Sequence, residues 1–184
     1  MATVYYTATS VDGFIADPDH SLQWLFDVPQ TARTQQSITD FVASTGAMVM
    51  GANTYQWMLD HHDYLEDPAR WRAEYGDRPC WVLTHRDLPP VPGCDIRVGP
   101  RDVRQLHPEL VAAAGDRHVW VLGGGDVAGQ LADAGLLDEV HLGVAPVALG
   151  AGAPLLPRRI LSDRMVLRSV AQVDQFALLV YGLR

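Results

Sequence analysis

Short apolar runs alternate along the chain with segments whose apolar residues recur at helical spacing. The runs predict strands, and the helical spacing predicts amphipathic helices. Two alternating runs close the chain, and the two polar residues between them are typical of a β-hairpin. The predicted strands span residues 3–10, 47–50, 79–84, 96–98, 119–122 and 139–145, and the hairpin runs span 165–173 and 176–181.

The predicted helices lie between these strands. We expect Asn53 to cap one helix, with Tyr55 and Met58 facing inward. Pro108 is expected to delay or kink another helix, because proline lacks a backbone N–H. The predicted helices lie within 29–44, 53–59, 103–114 and directly after 123–125, with irregular structure at 61–77 and loops at 85–92 and 146–157.

Strands that alternate with helices predict an α/β fold. Its sheet is expected to be largely parallel, with an antiparallel hairpin at the C-terminal end. A length of 184 residues suits one domain, so we predict a single domain over 1–184. Such sheets bind ligands beyond the carboxyl ends of their strands. Loops follow the predicted strands at 11–16, 51–54, 84–86 and 123–126, and we expect them to form one binding site.

Three consecutive glycines, Gly123, Gly124 and Gly125, join a predicted strand directly to a helix. Free N–H groups and the dipole at a helix N-terminus favour an anion, and glycine lets a phosphate approach the backbone. The turn therefore predicts a nucleotide phosphate site, with a tight turn chosen for packing as the alternative. It also matches G-x-G-x-x-A, but the acidic pair at 138–139 comes too early for a Rossmann dinucleotide site.

Two further strand ends have related patterns. Gly51 lies between a strand and a helix, and Asn53 and Thr54 can either cap that helix or reach a phosphate. Residues 84–86 end another strand with a hydroxyl, an imidazole and a guanidinium, which suit an adenosine ribose and its phosphate. An exposed loop without a ligand is the alternative for 84–86.

Composition and charge exclude several classes of function. The net charge of −8 and the scattered arginines do not favour nucleic acid, and no apolar stretch is long enough to span a membrane. We expect no signal peptide and a cytoplasmic location, with Cys80 and Cys94 reduced. His20, His61 and His62 match no metal-ligand spacing, so no metal site is predicted.

Aromatic residues follow the first predicted strand and the second glycine loop. Trp24, Phe26, Tyr55 and Met58 are candidate substrate contacts that would wall a pocket for a flat ring. The alternative is that these side chains belong to the hydrophobic core.

Five motifs carry a resemblance to a known family. In order they are Ser10-Val-Asp-Gly-Phe-Ile-Ala16, 49–55, 82–86, 121–127 and 138–147. With these motifs the chain resembles the dihydrofolate reductase-like superfamily. It is most similar to the C-terminal reductase domain of the riboflavin-biosynthesis deaminase-reductase and its small stand-alone relatives. The resemblance spans nearly the whole chain and implies a central mixed sheet with helices on both faces.

The resemblance also implies an activity. Relatives bind NADPH along the strand ends and reduce a bound heterocycle or sugar by hydride transfer. For this chain the resemblance implies NADPH and a small heterocyclic, carbonyl or imine substrate. Many relatives form homodimers. The cofactor-binding residues implied are Ala8, Ile15, Gly51, Asn53, Thr54, Leu83, Thr84, His85, Arg86, Leu122, Gly123, Gly124, Gly125, Asp126 and Val127.

The chain departs from the family pattern at several positions. Ala52 and Asp126 stand where relatives often have cations, so NADH remains possible beside NADPH. Asp27 is the first candidate proton donor and Asp12 the second, with water as an alternative. Neither folate reduction nor the riboflavin-pathway step is transferred from the family. A non-catalytic protein that binds a nucleotide or small ligand on the same fold is the alternative function.

Overall fold

The structure is a computed structural model that describes residues 1–184. It contains ten strands and six helices. The strands are β1 (Thr3–Thr9), β2 (Phe14–Ala16), β3 (Thr45–Gly51), β4 (Cys80–Leu83), β5 (Ile96–Gly99), β6 (His118–Gly123), β7 (Glu139–Val144), β8 (Ala153–Pro154), β9 (Met165–Val173) and β10 (Phe176–Leu183). The helices are α1 (Gln23–Phe26), α2 (Ala32–Ala43), α3 (Ala52–His61), α4 (Pro68–Tyr75), α5 (Val103–Ala114) and α6 (Gly125–Asp133).

Eight strands form one mixed sheet in the order β5-β4-β3-β6-β1-β7-β10-β9. The pairs from β5 to β7 are parallel, whereas β10 pairs antiparallel with both β7 and β9. This arrangement confirms the predicted mixed sheet with its C-terminal hairpin. The parallel order brings the carboxyl ends of β3, β4, β6 and β1 to the same edge of the sheet.

Helices cover both faces of this sheet, as predicted. Along β3, Val49 belongs to the core cluster that contains the α5 and α6 side chains, whereas Met48 and Met50 belong to the cluster with α3 and α4. Alternate residues of a strand point to opposite faces, so the sheet separates two apolar layers. Each fully buried aliphatic side chain contributes about 1.5–3 kcal/mol to these layers.

Residues 61–77 are not wholly irregular, and that prediction was wrong. They contain α4, whose first turn is capped by Asp67, which accepts a hydrogen bond from Ala69 N at 3.3 Å. Pro68 occupies the first turn, where its missing N–H costs nothing. Trp71 is 1% exposed and packs edge-on against Tyr64. Two aromatic side chains one turn apart, Trp71 and Tyr75, therefore hold a helix whose other residues are small or charged.

Two expectations about helix ends were also wrong. Gly51, and not Asn53, occupies the N-cap position of α3, and no side chain caps that helix. The Asn53 side chain instead accepts a hydrogen bond from the Arg86 guanidinium. Pro108 lies inside α5 and does not delay it, because Asp102 caps the helix at its start and proline removes only one internal hydrogen bond. The alternative expectation, a kink at Pro108, stays a prediction.

The segment 146–157 is not entirely loop, because it contains β8, which pairs antiparallel with β2. Cys80 is buried and Cys94 is half-buried, and both are free thiols. None of the helices combines the length and the apolar character that crossing a bilayer requires.

Candidate functional site

Three of the predicted loops meet at the carboxyl ends of adjacent strands. In the sheet, Gly51 pairs with Leu83, and Met50 pairs with Gly123. The starts of α3 and α6 therefore lie side by side, with the Thr84 loop next to them. The predicted gathering of these loops is confirmed.

Both helices at this edge begin with a glycine and without a side-chain cap. Gly51 and Gly124 are the N-cap residues of α3 and α6, and neither helix receives a side-chain hydrogen bond at its first turn. The first N–H groups of a helix have no partner within the helix, so both ends offer donors to an anion. Gly124 N lies 3.8 Å from the position that a Cβ on Gly51 would occupy, which shows how closely the two ends approach.

The three consecutive glycines have different surroundings. A Cβ on Gly123 would lie 2.6 Å from Thr54 Oγ1, and one on Gly125 would overlap the backbone oxygens of Leu155 and Pro154. These two glycines are therefore required by packing. The peptide bond between the first two glycines is cis.

Gly124 instead is half-buried and borders a groove in which an added Cβ would make only ordinary contacts. The atoms nearest to a Cβ placed there are Thr54 Oγ1 at 3.8 Å and Ile15 Cδ1 at 3.9 Å, both at ordinary contact distance. Val127 is 5% exposed, and its methyl group lies 3.3 Å from the position of a Cβ on Gly51. The structure therefore brings Ile15, Thr54 and Val127 to the same groove as the glycines.

Asp126 at the start of α6 is paired with a cation that was not predicted from the sequence. Arg158 Nη2 donates to Asp126 Oδ1 at 3.0 Å, and Gln130 Nε2 donates to Oδ2 at 2.8 Å. The hydrogen bonds from Gln130 and then from Arg158 lower the pKa of this carboxyl. Arg158 also contacts Asp133 at 2.6 Å. This pairing reduces the repulsion that Asp126 would exert on a phosphate nearby.

A second recess, of about 450 Å³, opens at the end of β4. Thr84 is buried there, and its Oγ1 accepts a hydrogen bond from Arg86 N at 2.8 Å. His85 and Arg86 are exposed at the recess, and the Arg86 guanidinium reaches Asn53 on α3. Leu83, also predicted as a cofactor contact, is half-buried, packs against the core and does not line the recess.

A cavity of about 480 Å³ lies between α1, α2 and the strands β1, β7 and β10. Ala8 and Leu122, predicted as cofactor contacts, are part of its wall. Since Leu122 directly precedes the glycines, the cavity and the groove meet at the end of β6. The lining residues are Tyr6, Thr7, Ala8, Leu25, Phe26, Gln30, Thr34, Gln35, Ser37, Ile38, Tyr75, Trp120, Leu122, Gly143, Val173, Phe176 and Leu178.

Of the four predicted substrate contacts, only Phe26 lines this cavity. Tyr55 is fully buried with its hydroxyl donating to Pro89 O at 2.8 Å, and Met58 is 4% exposed in the same core cluster. Trp24 packs on a small cluster around Val28. The expectation that Tyr55 and Met58 wall a pocket is therefore corrected: both face the core beneath α3.

Most of the cavity wall on α2 was not predicted from the sequence. Thr34, Ser37, Ile38 and Phe41 follow the i, i+3, i+4, i+7 spacing of one helix face. The two hydroxyl residues on this face were the available signal that it borders a polar space.

Neither predicted acid lies in the cavity. Asp12 accepts hydrogen bonds from Ser10 Oγ at 2.6 Å, Gly150 N at 2.7 Å and Leu149 N at 3.1 Å, which lower its pKa to about 2. An ionised carboxylate that anchors two loops cannot give up a proton near neutral pH. Asp27 is exposed on the end of α1, where it accepts a hydrogen bond from Gln23 at 2.8 Å.

The sequence of this chain matches the model of one known protein family. The family model described as the RibD C-terminal domain matches residues 59–175. The chain belongs to the RibD C-terminal domain family. The resemblance to the reductase domain of the riboflavin-biosynthesis deaminase-reductase is therefore confirmed.

Individual relatives of this RibD-type chain match over most of its length. YwjB of Bacillus subtilis is 27% identical over 181 residues, which cover 97% of this chain and 96% of that protein. A protein of Shewanella sp. PV-4 named for riboflavin biosynthesis has a structure with a TM-score of 0.79 at 23% identity, covering 100% of this chain and 99% of that chain.

Two enzymes share the fold at lower identity. The deaminase/5-amino-6-(5-phosphoribosylamino)uracil reductase of Thermotoga maritima gives a TM-score of 0.70 at 16% identity, with 100% of this chain and 56% of that chain covered. This chain thus spans about half of that protein. Dihydrofolate reductase of Enterococcus faecalis, complexed with NADP(H), gives 0.64 at 14% identity and covers 100% of this chain and 96% of that chain. The dihydrofolate reductase-like fold is confirmed.

The anchoring role of Asp12 predicts a pH-dependent effect on stability. A carboxyl whose folded pKa is depressed stabilises the fold above its unfolded pKa, about 3.9, and this stabilisation is lost as the pH falls through the folded pKa. Asp12→Asn is expected to lower Tm at neutral pH, and its difference from the wild type is expected to shrink between about pH 4 and pH 2. Differential scanning fluorimetry across this range measures it.

Asp116→Asn is the matched control, because the Asp116 side chain is exposed and makes no hydrogen bond. This variant is expected to melt with the wild type at every pH. A Tm difference for Asp12→Asn that stays constant on acidification contradicts the anchoring role.

Proposed function

We propose that the protein is an NADPH-dependent reductase that transfers a hydride to a small heterocyclic, carbonyl or imine substrate. One observation carries this proposal: two uncapped helix N-termini flank Gly124, and the 480 Å³ cavity begins two positions earlier in the chain, at Leu122. An anion site and a substrate cavity that adjoin in this way suit a dinucleotide whose reactive ring enters the cavity.

The residues of the groove fit such a cofactor. The N-termini of α3 and α6 would hold the pyrophosphate, with Gly51 and Gly124 giving the backbone the necessary approach. Thr54 would add a hydroxyl at the same place. The recess at the end of β4, with the imidazole and guanidinium of residues 85–86, would take the adenosine end. The nicotinamide would lie between Ile15 and Ala8.

The bound nicotinamide would supply the hydride, and the chain would supply position and shielding. The cavity wall would hold the electrophilic carbon about 3–3.5 Å from the hydride donor, which accounts for much of the rate. Apolar side chains such as Leu25, Ile38 and Leu122 exclude bulk water from that contact. Since no carboxylic acid lines the cavity, we propose that a water molecule gives the proton to the substrate oxygen or nitrogen.

The choice between NADPH and NADH is proposed to depend on Arg86. Its exposed guanidinium is available to pair with a ribose 2′-phosphate, and Arg86→Ala is expected to raise the Kd for NADPH about tenfold while changing the Kd for NADH little. Isothermal titration with both cofactors measures the two constants.

Arg104→Ala is the control, since this arginine is exposed on α5 and its side chain has no hydrogen-bond partner. Equal losses of NADPH and NADH on changing Arg86 contradict recognition of the 2′-phosphate. A wild-type chain that binds neither cofactor overturns the proposed function as a whole.

A non-catalytic binding protein is the second candidate. The observation that favours it is the position of Asp12 and Asp27, which both lie outside the cavity wall. Cofactor binding without NADPH oxidation by any carbonyl or imine compound would support this candidate, whereas turnover with one such compound would exclude it.

The chain's assembly and location stay predictions. A homodimer is supported by the edge strand β9, on which Leu167 is 51% and Val170 is 61% exposed. The single domain, the cytoplasmic location and the absence of a nucleic-acid partner rest on composition and charge.

A further inference from the structure

The cavity between α1, α2 and the sheet has a wall without ionisable acids or bases other than tyrosine. Among its 17 lining residues, 11 are hydrophobic, and none is Asp, Glu, Arg, Lys or His. Charged residues make up 20% of the chain, so about three would be expected in a random set of 17. The cavity wall is therefore poorer in charged residues than the chain as a whole.

The charge nearest to the wall on α2 is negative. Asp174, in the turn between β9 and β10, accepts hydrogen bonds from Thr34 Oγ1 at 2.5 Å and Thr31 N at 2.9 Å. These hydrogen bonds, first from Thr34 and then from Thr31, lower the pKa of the Asp174 carboxyl, which therefore stays ionised. This carboxylate lies directly behind a residue of the cavity wall, so its potential disfavours a bound anion.

The neutral polar groups that remain can orient an uncharged ligand. Thr34 is committed to Asp174, which leaves the Ser37 hydroxyl and the Gln30 and Gln35 amides of the α2 side. The hydroxyl groups of Ser37 and Tyr6 both line this space. Such groups bond well to a carbonyl oxygen or ring nitrogen, but they cannot balance a phosphate or sulfonate.

We propose that this cavity takes a neutral, largely apolar ring compound that bears a carbonyl or imine, and that it excludes phosphorylated and other anionic compounds. Removing an anion from water without a cation to receive it is strongly unfavourable, whereas a neutral ring gains by leaving water. The substrate class thereby differs from the phosphoribosylamino compound in the name of the Thermotoga maritima relative. Reduction of this compound rests on the proposed function, whereas its binding in the cavity does not.

The test uses isatin, a neutral bicyclic ketone, and isatin-5-sulfonate, which adds one negative charge to the same ring. Isothermal titration of the full chain without cofactor is expected to give a Kd for isatin at least about tenfold lower than for the sulfonate. Gln35→Lys places a cation at the cavity wall and is expected to tighten sulfonate binding about tenfold.

Gln36→Lys is the matched control. Gln36 is the next residue of α2, is exposed, does not line the cavity and donates to Asp40 at 2.7 Å. This variant is expected to leave the affinities for both probes unchanged. Tightening by Gln35→Lys alone would place the probes in the cavity, while equal tightening by both lysine variants would place them on the outer surface and overturn the proposal.

Two other results would also overturn the proposal: sulfonate bound by the wild type as tightly as isatin, or no binding of either probe. A parallel titration with NADPH keeps this claim separate from the proposed function. Binding of isatin without binding of NADPH would contradict the proposed reductase activity and support the proposed neutral cavity. Binding of NADPH together with equal affinities for isatin and its sulfonate would support the cofactor site and contradict the proposed neutral substrate.

Discussion

Gly124→Ala is expected to weaken NADPH binding at least about tenfold while leaving the fold intact. The added Cβ has ordinary contacts of 3.8 Å and 3.9 Å, and the backbone at Gly124 has a φ of −92°, which alanine adopts readily. The methyl group would however occupy the space between Ile15 and Thr54 where the pyrophosphate is proposed to lie. Isothermal titration gives the Kd, and thermal unfolding of the same sample reports the fold.

The Tm of Gly124→Ala without cofactor is the control and is expected to stay within about 2 °C of the wild type. Unchanged NADPH affinity in a normally folded variant contradicts the placement of the pyrophosphate at this groove. It would direct the search for the cofactor to another part of the sheet edge.

Gly125→Ala is expected to have the opposite signature. Its Cβ would overlap the backbone oxygens of Leu155 and Pro154, which cannot rotate away as a side chain could. Tyr5 donates a hydrogen bond from its hydroxyl to the same Leu155 oxygen at 3.1 Å, so the segment is held against the sheet. Overpacking of this kind costs about 2–3 kcal/mol, equivalent to a Tm about 5–10 °C lower for a chain of this size.

The two alanine variants differ by one position and add the same methyl group, so each is the control for the other. Thermal unfolding of both, without cofactor, checks the prediction directly. A Tm for Gly125→Ala equal to that of Gly124→Ala contradicts the tight packing of the 146–157 segment on α6.

The sheet was predictable because its signal is local. Val49 and Val121 lie in short apolar runs, and Asp174 and Gln175 separate two alternating runs that could only pair as a hairpin. Helix α4 was missed because only Trp71 and Tyr75 pack on the core, and a single i, i+4 pair is too short a pattern to predict a helix. Packing against the core, and not the local sequence pattern, therefore stabilises this helix.

The groove and the cavity of the candidate site differed in how far the sequence could predict them. The groove proposed for the phosphates follows strand ends, and glycines beside helix starts are visible along the chain, so Gly51 and Gly124 could be selected from the sequence. The cavity is assembled from distant segments whose residues, such as Thr34 and Leu178, have no distinctive pattern of their own. The Arg158–Asp126 pair joins residues 32 positions apart, which no local pattern reports.

The most direct test of the account is a titration of the purified chain with NADPH, followed by tryptophan fluorescence and by Tm. The proposed groove predicts saturable quenching of the tryptophan emission and a stabilisation of about 2.7 kcal/mol at 100 times the Kd, which raises Tm by about 5–10 °C. Unchanged fluorescence together with an unchanged Tm at millimolar NADPH would contradict the claim that a nicotinamide dinucleotide binds at the starts of α3 and α6.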